Sequence, residues 1–278
     1  MPELPEVEAA RCMIRRTLQG SPIREVSLPD DPILLGDTPP EAVRAALLGS
    51  TVMEVGRKGK YWWLELDRSP WVFGHLGMTG QILDFSDEPA KYRHGRKALD
   101  ENGEPKWLKL DLRTEDGRRL VFSDPRRLGR LWLAENAASD RRLAKLGPDA
   151  FEDLPSPEEF HRRLARRKAP LKAVLLDQAF LAGIGNYLAD EMLYQARVAP
   201  DRIAASLSVE ETARLRTALQ SILSHAVSVD ADYERFPTDW LFHHRWGGDK
   251  GSPEIGGRAI QRDTIGGRTT AWVPELQR

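Results

Sequence analysis

The sequence predicts an α+β multidomain protein: an N-terminal helix with an antiparallel β-sandwich, then a helical domain, then a C-terminal hairpin module. Three observations favour this fold class. Apolar and polar residues alternate from about residue 45 to 135, helical periodicity replaces this alternation from about 136 to 227, and tryptophans with paired glycines mark residues 240–278. We therefore expect domains at residues 1–135, 136–235 and 236–278.

The first element is a helix near the amino terminus. Pro5 suits a first helical position, because the N–H that proline lacks would be unpaired there in any case. Apolar residues then recur at helical spacing, and Gly20 stands where such a helix stops. The recurring residues are Val7, Ala10, Ile14 and Leu18.

Short alternating runs, broken by Gly, Asp and Asn, predict the strands that follow. Turn residues at 115–117 (EDG) and 57–59 (RKG) separate neighbouring runs, so we expect hairpins and hence a sandwich or a barrel. The runs are residues 51–55, 61–66, 107–112 and 119–122.

The last long helix of the predicted helical domain opens with Ser208 and Glu211, the spacing of a capping box. Its apolar stripe consists of Leu215, Leu219, Ile222 and Leu223. Beyond it, paired glycines at 247–248, 256–257 and 266–267 predict a small hairpin and not another helix.

Composition excludes several classes of protein. With 41 basic and 42 acidic residues the net charge is −1, so any site for a polyanion must be local. A single cysteine, Cys12, excludes an internal disulfide and a zinc site built from several thiolates. No segment approaches the roughly 20 apolar residues of a membrane span. Since the first residues lack the pattern of a secretory signal, we expect no membrane association, and location in the cytoplasm (nucleoid) of a bacterium or the nucleus of a eukaryote.

The amino terminus is a candidate reactive group. After removal of Met1 the chain begins with the secondary amine of Pro2, close in sequence to Glu3 and Glu6. An α-amino group titrates near 8, well below the roughly 10.4 of lysine, and is therefore more nucleophilic at neutral pH. Carboxylates spaced three apart can protonate a leaving group or activate water beside it. The alternative is that the proline and the acids only stabilise the start of a helix, where such residues are common in the first turn.

A basic cluster at residues 160–172 holds six positive side chains and no acid, which makes it a candidate phosphate-binding surface. Taken alone, such a cluster can also be a solvated helix face or a nuclear localisation signal. The turn at 183–186 (GIGN) precedes another helix, whose first N–H groups would face an anion. The alternative for this turn is a plain helix connector.

Five separated motifs, in order, resemble those of the formamidopyrimidine-DNA glycosylase and endonuclease VIII family. They are residues 2–8 (PELPEVE), 56–61 (GRKGKY), 75–80 (HLGMTG), 124–129 (DPRRLG) and 182–187 (AGIGNY). The resemblance covers almost the whole chain. It implies that the helical domain is a helix-two-turn-helix domain and that the partner is double-stranded DNA containing oxidised bases or abasic sites.

The resemblance also implies a bifunctional DNA glycosylase and abasic-site lyase. Pro2 would attack C1′ of the damaged nucleotide to form a Schiff base, and β,δ-elimination would cleave the strand. Glu3 would serve as acid and base and Glu6 would support the site. Lys60 would contact the DNA backbone and assist proton movement, and Arg268 would hold the phosphate of the extruded nucleotide.

Six residues are expected to bind DNA. By resemblance, His75 and Asn186 would contact phosphates, and Lys172 closes the basic cluster. An enzyme that extrudes a base must fill the hole in the stack. Met78, Arg126 and Leu128 match the family positions that enter it, with a leucine where many relatives that act on guanine lesions carry an aromatic residue.

Most of these relatives end in a finger whose four cysteines bind zinc, and this chain lacks those cysteines. The end resembles the zincless branch of the family found in plants. Val273 and Leu276 would occupy thiolate positions, and packing by Trp246, Ile260 and Trp272 would replace the metal. The adjacent pair His243 and His244 cannot form a zinc site by itself. We expect no metal, no cofactor and a monomer.

The segment between residue 227 and Trp240 is short, with about twelve residues. Relatives that fold a loop over a flipped 8-oxoguanine have more residues there. We therefore expect a preference for formamidopyrimidines and further-oxidised guanine over 8-oxoguanine.

Two alternatives stay open. A DNA-damage binding protein without catalysis would need Arg126, Asn186 and Arg268, but neither Pro2 nor Glu3. An enzyme that uses an amino-terminal proline as general base on small keto acids would have no use for the basic cluster. A salt titration of duplex binding separates these two alternatives.

Overall fold

The structure is a computed structural model that describes residues 2–86, 99–246 and 253–278. It divides into two compact units. The first unit contains Met1–Pro2 and Glu6–Ala144, and the second contains Glu3–Pro5 and Lys145–Arg278. The expected division into three domains stays a prediction.

The predicted N-terminal helix is confirmed as α1, Leu4–Leu18. Its apolar face is buried, with Val7, Ile14 and Leu18 almost fully covered, because their spacing places them on one side of the helix. Gly20 follows the helix with φ +83°, a conformation that glycine adopts without steric cost. Two short helices follow, α2 (Pro32–Leu35) and α3 (Pro40–Leu47).

In the described part of the first unit, the strands form two four-stranded antiparallel sheets, which confirms the predicted sandwich. One sheet has the strand order β2-β3-β4-β8 and the other β1-β6-β7-β5. Apolar residues of both sheets form one core with α1, among them Val55, Trp62 and Phe122. The strands are β1 (Ile23–Ser27), β2 (Val52–Lys58), β3 (Tyr61–Leu66), β4 (Trp71–His75), β5 (Gln81–Asp84), β6 (Leu108–Thr114), β7 (Arg119–Ser123) and β8 (Arg130–Ala134).

The described part of the second unit contains five α-helices: α4 (Pro157–Ala165), α5 (Leu171–Leu176), α6 (Asn186–Ala196), α7 (Val209–Ser228) and α8 (Leu241–His244). The capping box at Ser208 and Glu211 is present, and the predicted stripe of α7 is buried. Within the three described ranges, none of the helices has the length and apolarity needed to cross a membrane.

The C-terminal module consists of two small hairpins, β9 (Glu254–Ile255) with β10 (Arg258–Ala259) and β11 (Gln261–Ile265) with β12 (Arg268–Trp272). The glycine pairs at 256–257 and 266–267 form the turns, as the sequence predicts, and the pair at 247–248 lies outside the described residues. An apolar cluster holds the module together. Its buried members are Leu241, Ile255, Ile260, Ala271 and Val273.

The prediction that Trp246 packs in this module is wrong. Trp246 is 66% exposed, and the guanidinium of Arg245 lies over its ring at 4.3 Å. The ring of Trp272 is half-buried, and its Nε1 donates a hydrogen bond to Asp263 at 2.7 Å. Of the three predicted packing residues, Ile260 alone is buried in the cluster.

Candidate functional site

The carboxylate of Glu3 lies at the N-terminal end of α6 and is almost fully buried. Its oxygens accept hydrogen bonds from the backbone N–H groups of Gly185 at 2.8 Å, Tyr187 at 2.9 Å and Leu188 at 3.1 Å. A helix start leaves such N–H groups unpaired and is favourable for an anion. The geometry therefore holds the Glu3 carboxylate in one fixed position.

Gly185 is required for this arrangement. A Cβ atom at this position would lie 2.2 Å from Cδ of Glu3, so any side chain would displace the carboxylate. The sequence predicts an anion facing these N–H groups. The anion in the structure belongs to the protein itself, since Glu3 occupies the positions that were expected to face an external anion.

Pro2, the predicted nucleophile, is half-buried, whereas Met1 lies outside the described residues. The side chain of Glu6 is 6% exposed. A group that has to react with a substrate needs access to solvent, and Pro2 retains part of its surface.

The turn between β2 and β3 carries Lys60. Arg57 on β2 donates from Nε to Glu8 of α1 at 2.7 Å and from Nη1 to the backbone oxygen of Gly59 at 3.2 Å. Burial raises the pKa of Glu8, but hydrogen bonds and charges of Arg11 and Arg57 outweigh it and lower the pKa to about 2. An ionised Glu8 thus fixes the turn that carries Lys60 to α1.

His75 ends β4 and is held as a neutral imidazole. Its Nδ1 accepts a hydrogen bond from the N–H of Gly77 at 3.0 Å, so the ring proton resides on Nε2. Burial, with the charges of Lys60 and Arg130 nearby, lowers the pKa of His75 to about 4. At neutral pH the imidazole can therefore donate a hydrogen bond from Nε2, but it carries no charge.

The three residues predicted to enter the DNA stack belong to two neighbouring loops of the first unit. Met78 lies in the loop between β4 and β5, and Arg126 and Leu128 lie in the loop between β7 and β8. Leu128 is 37% exposed and Arg126 is exposed, as residues that enter a base stack must be.

Lys172 lies inside the second unit and not on its surface. Its Nζ donates to Asp190 of α6 and, at 2.9 Å, to the backbone oxygen of Asn186. The side chain has no exposed surface. This corrects the expectation of a direct DNA contact, because Lys172 would have to leave a buried ion pair to reach a phosphate.

Asp190 connects four segments of the second unit. It accepts a hydrogen bond from Lys172 on α5. It also accepts one from Arg245, which follows α8, at 2.5 Å, and one from the backbone N–H of Ala271 on β12 at 3.3 Å. Asp190 is 1% exposed. A buried charge of this kind persists where it is paired and hydrogen-bonded. The C-terminal hairpin is therefore held by this carboxylate as well as by its apolar cluster.

Most of the basic cluster is engaged within the protein. Arg162 pairs with Glu159, Arg167 pairs with Asp177 at 2.8 Å, and Arg163 donates to the backbone oxygen of Phe180. Arg166 and Lys168 are exposed. The cluster thus provides fewer positive groups for a phosphate than its sequence indicates.

Asn186 and Arg268 belong to neighbouring segments. Nδ2 of Asn186 donates to the backbone oxygen of Thr269 at 2.8 Å, while its Oδ1 is buried and has no hydrogen-bond partner among the described residues. Arg268 is exposed at the start of β12. The turn before it packs closely on α5, since a Cβ at Gly266 would lie 2.9 Å from Cβ of Ala173.

The histidine pair after Trp240 is engaged with the backbone. Nε2 of His243 lies 3.2 Å from the oxygen of Phe236, and Nε2 of His244 lies 3.1 Å from the oxygen of Thr238. Over residues 2–86, 99–246 and 253–278, no group of three or more His, Cys, Asp or Glu side chains is arranged to hold a metal ion.

Sequence reasoning missed two buried aspartates, Asp190 and Asp124. A helical signal existed for Asp190, which follows Asn186 by four residues and so shares its face of α6. Asp124 opens one of the quoted motifs, but the sequence does not indicate that its side chain binds both the β4–β5 loop and the β7–β8 loop.

Two family models match the chain. The model of the formamidopyrimidine-DNA glycosylase N-terminal domain matches residues 1–131, and that of the formamidopyrimidine-DNA glycosylase H2TH domain matches residues 146–238. The second match confirms the helix-two-turn-helix prediction for this part of the chain.

Curated relatives match over the whole chain. A formamidopyrimidine-DNA glycosylase of Arabidopsis thaliana is 40% identical over 280 residues, which span 71% of its length. One from Thermus thermophilus is 36% identical over 291 residues, 98% of its length. The plant relative is consistent with the expected resemblance to plant proteins.

Solved structures share the fold. The crystal structure of the MutM (Fpg) protein from Thermus thermophilus has a TM-score of 0.75 and 33% identity, covering 99% of this chain and 98% of that one. A Lactococcus lactis formamidopyrimidine-DNA glycosylase, bound to DNA containing an abasic site, has a TM-score of 0.81 at 23% identity and covers 99% of both chains. By its domains and its relatives, the chain belongs to the formamidopyrimidine-DNA glycosylase family.

Proposed function

We propose that this chain is a DNA glycosylase of base-excision repair that removes oxidised bases from double-stranded DNA and then cleaves the abasic strand. The observation that carries the proposal is the position of Glu3. A carboxylate held by three backbone N–H groups follows directly after Pro2, whose secondary amine becomes free once Met1 is removed. A nucleophile beside an oriented acid or base is the arrangement that covalent catalysis requires.

The proposed reaction begins at C1′ of the damaged nucleotide. The lone pair of the Pro2 nitrogen forms a bond to C1′, the glycosidic bond breaks, and its electron pair leaves with the base, which takes up a proton. The Pro2 nitrogen then loses its proton, the C1′–O4′ bond breaks as O4′ takes up a proton, and the nitrogen lone pair forms the C1′–N double bond of a cationic iminium. Glu3 transfers protons in these steps, and Glu6 supports the site.

Strand cleavage follows from the same iminium. It withdraws electrons from C2′, so loss of a C2′ proton expels the 3′ phosphate, and loss of a further proton at C4′ expels the 5′ phosphate. Lys60, on the turn fixed by Arg57 and Glu8, contacts the DNA backbone and assists proton movement. Hydrolysis then frees Pro2.

Binding roles follow the chemistry of each group. Arg268 is an exposed guanidinium and can hold a phosphate through two hydrogen bonds. Asn186 uses one Nδ2 hydrogen on Thr269 and keeps the other for a phosphate. His75 donates from Nε2 as a neutral group. Lys172 is a positioning residue, because its Nζ donates a hydrogen bond to the backbone oxygen of Asn186.

The residues after α7 support the proposed lesion preference. Phe236 is 2% exposed and Trp240 is 8% exposed, and both belong to the core of the second unit. A segment anchored in a core is poorly suited to fold over a flipped base. We therefore propose that formamidopyrimidines and further-oxidised guanine are excised faster than 8-oxoguanine.

Borohydride trapping tests the covalent step. Reduction of the iminium on an abasic duplex joins protein and DNA permanently, and Pro2→Gly and Glu3→Gln should reduce strand cleavage at least 100-fold. Glu41→Gln, an exposed change in the first unit, is the matched control. Variants at Pro2 and Glu3 that cleave like the wild type would overturn the roles. Mass spectrometry of the intact protein establishes whether Met1 is removed.

The lesion preference has its own test. Single-turnover rates are compared on matched duplexes that differ only in the damaged base. An 8-oxoguanine:cytosine rate equal to the formamidopyrimidine rate, or above it, refutes the preference and leaves the covalent mechanism untouched.

The second candidate function is DNA-damage binding without catalysis. It is favoured by one observation, the exposure of the Arg126 and Arg268 guanidinium groups, which are suited to DNA contacts, and it needs neither Pro2 nor Glu3. Normal binding of abasic duplex by a correctly processed wild-type protein that forms no borohydride adduct would support this alternative.

A further inference from the structure

Two loops of the first unit carry the side chains that are proposed to enter the DNA stack. We call residues 76–80 and 124–129 the wedge loops. Met78 lies on the first, and Arg126 and Leu128 lie on the second. For three side chains to enter one gap in a duplex, their loops must keep a fixed separation.

One buried carboxylate binds both wedge loops. Oδ1 of Asp124 accepts a hydrogen bond from the Thr79 hydroxyl of the first loop at 2.6 Å. Its Oδ2 accepts from the backbone N–H groups of Leu128 at 2.8 Å and Gly129 at 2.7 Å in the second loop. Asp124 is 0% exposed, so these bonds are not in competition with bulk water.

The backbones of the wedge loops also touch. Gly77 has φ +68°, and a Cβ atom built on it would lie 2.4 Å from the carbonyl carbon of Leu128. The main chain of the first loop therefore packs directly on the residue that is predicted to enter the stack. Any side chain at Gly77 would push the two loops apart.

The second wedge loop has another anchor beside Arg126. Arg127 has φ +56° and donates to Asp31 from Nε at 3.1 Å and from Nη2 at 2.9 Å. Asp31 also pairs with Lys109 at 3.0 Å and accepts from the N–H of Ile33 at the start of α2. Both neighbouring arginines are exposed, but the Arg127 guanidinium is paired with Asp31.

We propose that Asp124 is a positioning residue that holds Met78, Arg126 and Leu128 at the spacing needed to occupy the gap left by an extruded nucleotide, with the Arg127–Asp31 pair as a second anchor. This inference rests on the proposed function. Asp124 itself is buried and does not contact the DNA.

Fixing the wedge loops before binding lowers the free-energy cost of inserting them. Loops that are already fixed before binding lose little conformational freedom when they enter the stack, whereas loose loops lose it at that moment. Excision of a stacked base requires that base to be extruded, which depends on the wedge residues. At an existing abasic site no base has to be unstacked, so the reaction there depends on the wedge residues less. Loosening the wedge loops should therefore slow base excision more than it slows attack on an existing abasic site.

The test compares Asp124→Ala with wild type on two substrates. We expect the single-turnover rate of base excision to fall at least 20-fold, and borohydride adduct formation on a preformed abasic duplex to fall less than threefold. Asp124→Asn should recover most of the excision rate, because its amide oxygen still accepts from Leu128 and Gly129. Equal losses on both substrates, or no loss on either, would overturn the proposal.

The matched control is Asp116→Ala. Asp116 is exposed and accepts hydrogen bonds from Thr114 and Arg118 in the turn between β6 and β7, so this substitution removes a hydrogen-bonded carboxylate from another turn of the same unit. It should leave both rates within twofold of wild type. If Asp124→Ala does not fold, Thr79→Val and Arg127→Gln each remove one anchor, and each should slow excision more than adduct formation; equal slowing would count against the proposal.

A third measurement needs no chemistry. A duplex carries a tetrahydrofuran abasic analogue with 2-aminopurine in the opposite strand, and the fluorescence change on binding reports insertion of the wedge. At saturating protein, Asp124→Ala should give less than half of the wild-type change, and Asp116→Ala the full change. Since this readout is independent of Pro2, absence of the borohydride adduct refutes the proposed reaction, whereas an unaltered signal for Asp124→Ala refutes the positioning role.

Discussion

Asn186 donates a hydrogen bond from Nδ2 to the backbone oxygen of Thr269 at 2.8 Å, between residues that are 83 positions apart in the chain. This hydrogen bond joins the first residue of α6 to the residue that follows Arg268. The proposed phosphate-binding arginine is therefore connected to the same helix start that holds Glu3.

Replacement of Asn186 by alanine tests this connection. One neutral hydrogen bond contributes about 1 kcal/mol, so Asn186→Ala should bind a tetrahydrofuran duplex roughly five- to tenfold more weakly. Fluorescence anisotropy at fixed salt measures the affinity. Asn136→Ala, an amide in a turn of the first unit, should bind like wild type. Equal affinity of the two variants would mean that Asn186 holds neither Arg268 nor a phosphate.

Asp190 is predicted to hold the C-terminal hairpin. Removal of one partner from a buried ion pair typically costs about 3 to 5 kcal/mol, because the other charge stays buried. Asp190→Ala should lower the unfolding free energy by about that amount and speed hydrogen exchange at the amide of Ala271, which loses its acceptor. Denaturant titration and exchange by NMR measure both effects. The exposed change Asp201→Ala serves as control, and unchanged exchange at Ala271 in Asp190→Ala would contradict the prediction.

Glu191 makes stability depend on pH. Burial raises the pKa of Glu191 to about 7, and hydrogen bonds from Gln195 and from the backbone at Leu241 and Phe242 offset this only in part. The folded protein keeps the proton up to about pH 7, whereas the unfolded chain loses it near the ordinary value of 4.5. Folding therefore takes up a proton in this window, and this group's contribution to stability falls as pH rises through it.

Glu191→Gln removes that dependence. From pH 5 to pH 8, the unfolding free energy of wild type minus that of Glu191→Gln should fall by about 2 to 3 kcal/mol. Taking the difference between the two proteins cancels other titrating groups, among them His75, whose lowered pKa acts in the opposite direction. A difference that stays flat over this range would show that Glu191 titrates normally.

Leu128 is predicted to be a weak wedge that an aromatic ring improves. Stacking of an aromatic side chain on a base contributes about 1 to 3 kcal/mol, so Leu128→Phe should bind a tetrahydrofuran duplex about fivefold more tightly. Leu48→Phe, at a leucine of the same unit that is 52% exposed, is the matched control. If both variants gain equally, the effect is nonspecific and Leu128 is not a wedge.

Local structure was largely predictable because it is encoded in spacing. The β2–β3 hairpin turns at 59–60, where the sequence predicts a turn at 57–59, and this hairpin, the one at 115–117 and the capping box of α7 each involve residues within a few positions of one another. Such signals need no knowledge of the remaining chain. The failure at Trp246 has the opposite cause, since whether a large ring is covered depends on segments that arrive from elsewhere.

Whether a charged side chain is buried or exposed was not predictable in the same way. Composition treats Lys172 and Lys168 alike, as members of one basic cluster. The first lies on α5 and is fully buried against Asp190 of α6, whereas the second lies in the segment between α4 and α5 and is exposed. Composition alone therefore does not distinguish a buried lysine from an exposed one.

The sequence alone determined the identity of the elements, the family and the residue types available for chemistry, since periodicity and motifs are properties of neighbouring residues. Only the tertiary structure decided that Glu3 occupies the helix start, that Asp190 holds the hairpin and that Asp124 holds two loops. Each of these carboxylates has partners that are distant in the chain, and a hydrogen bond between distant residues exists only once folding has brought them within about 3 Å.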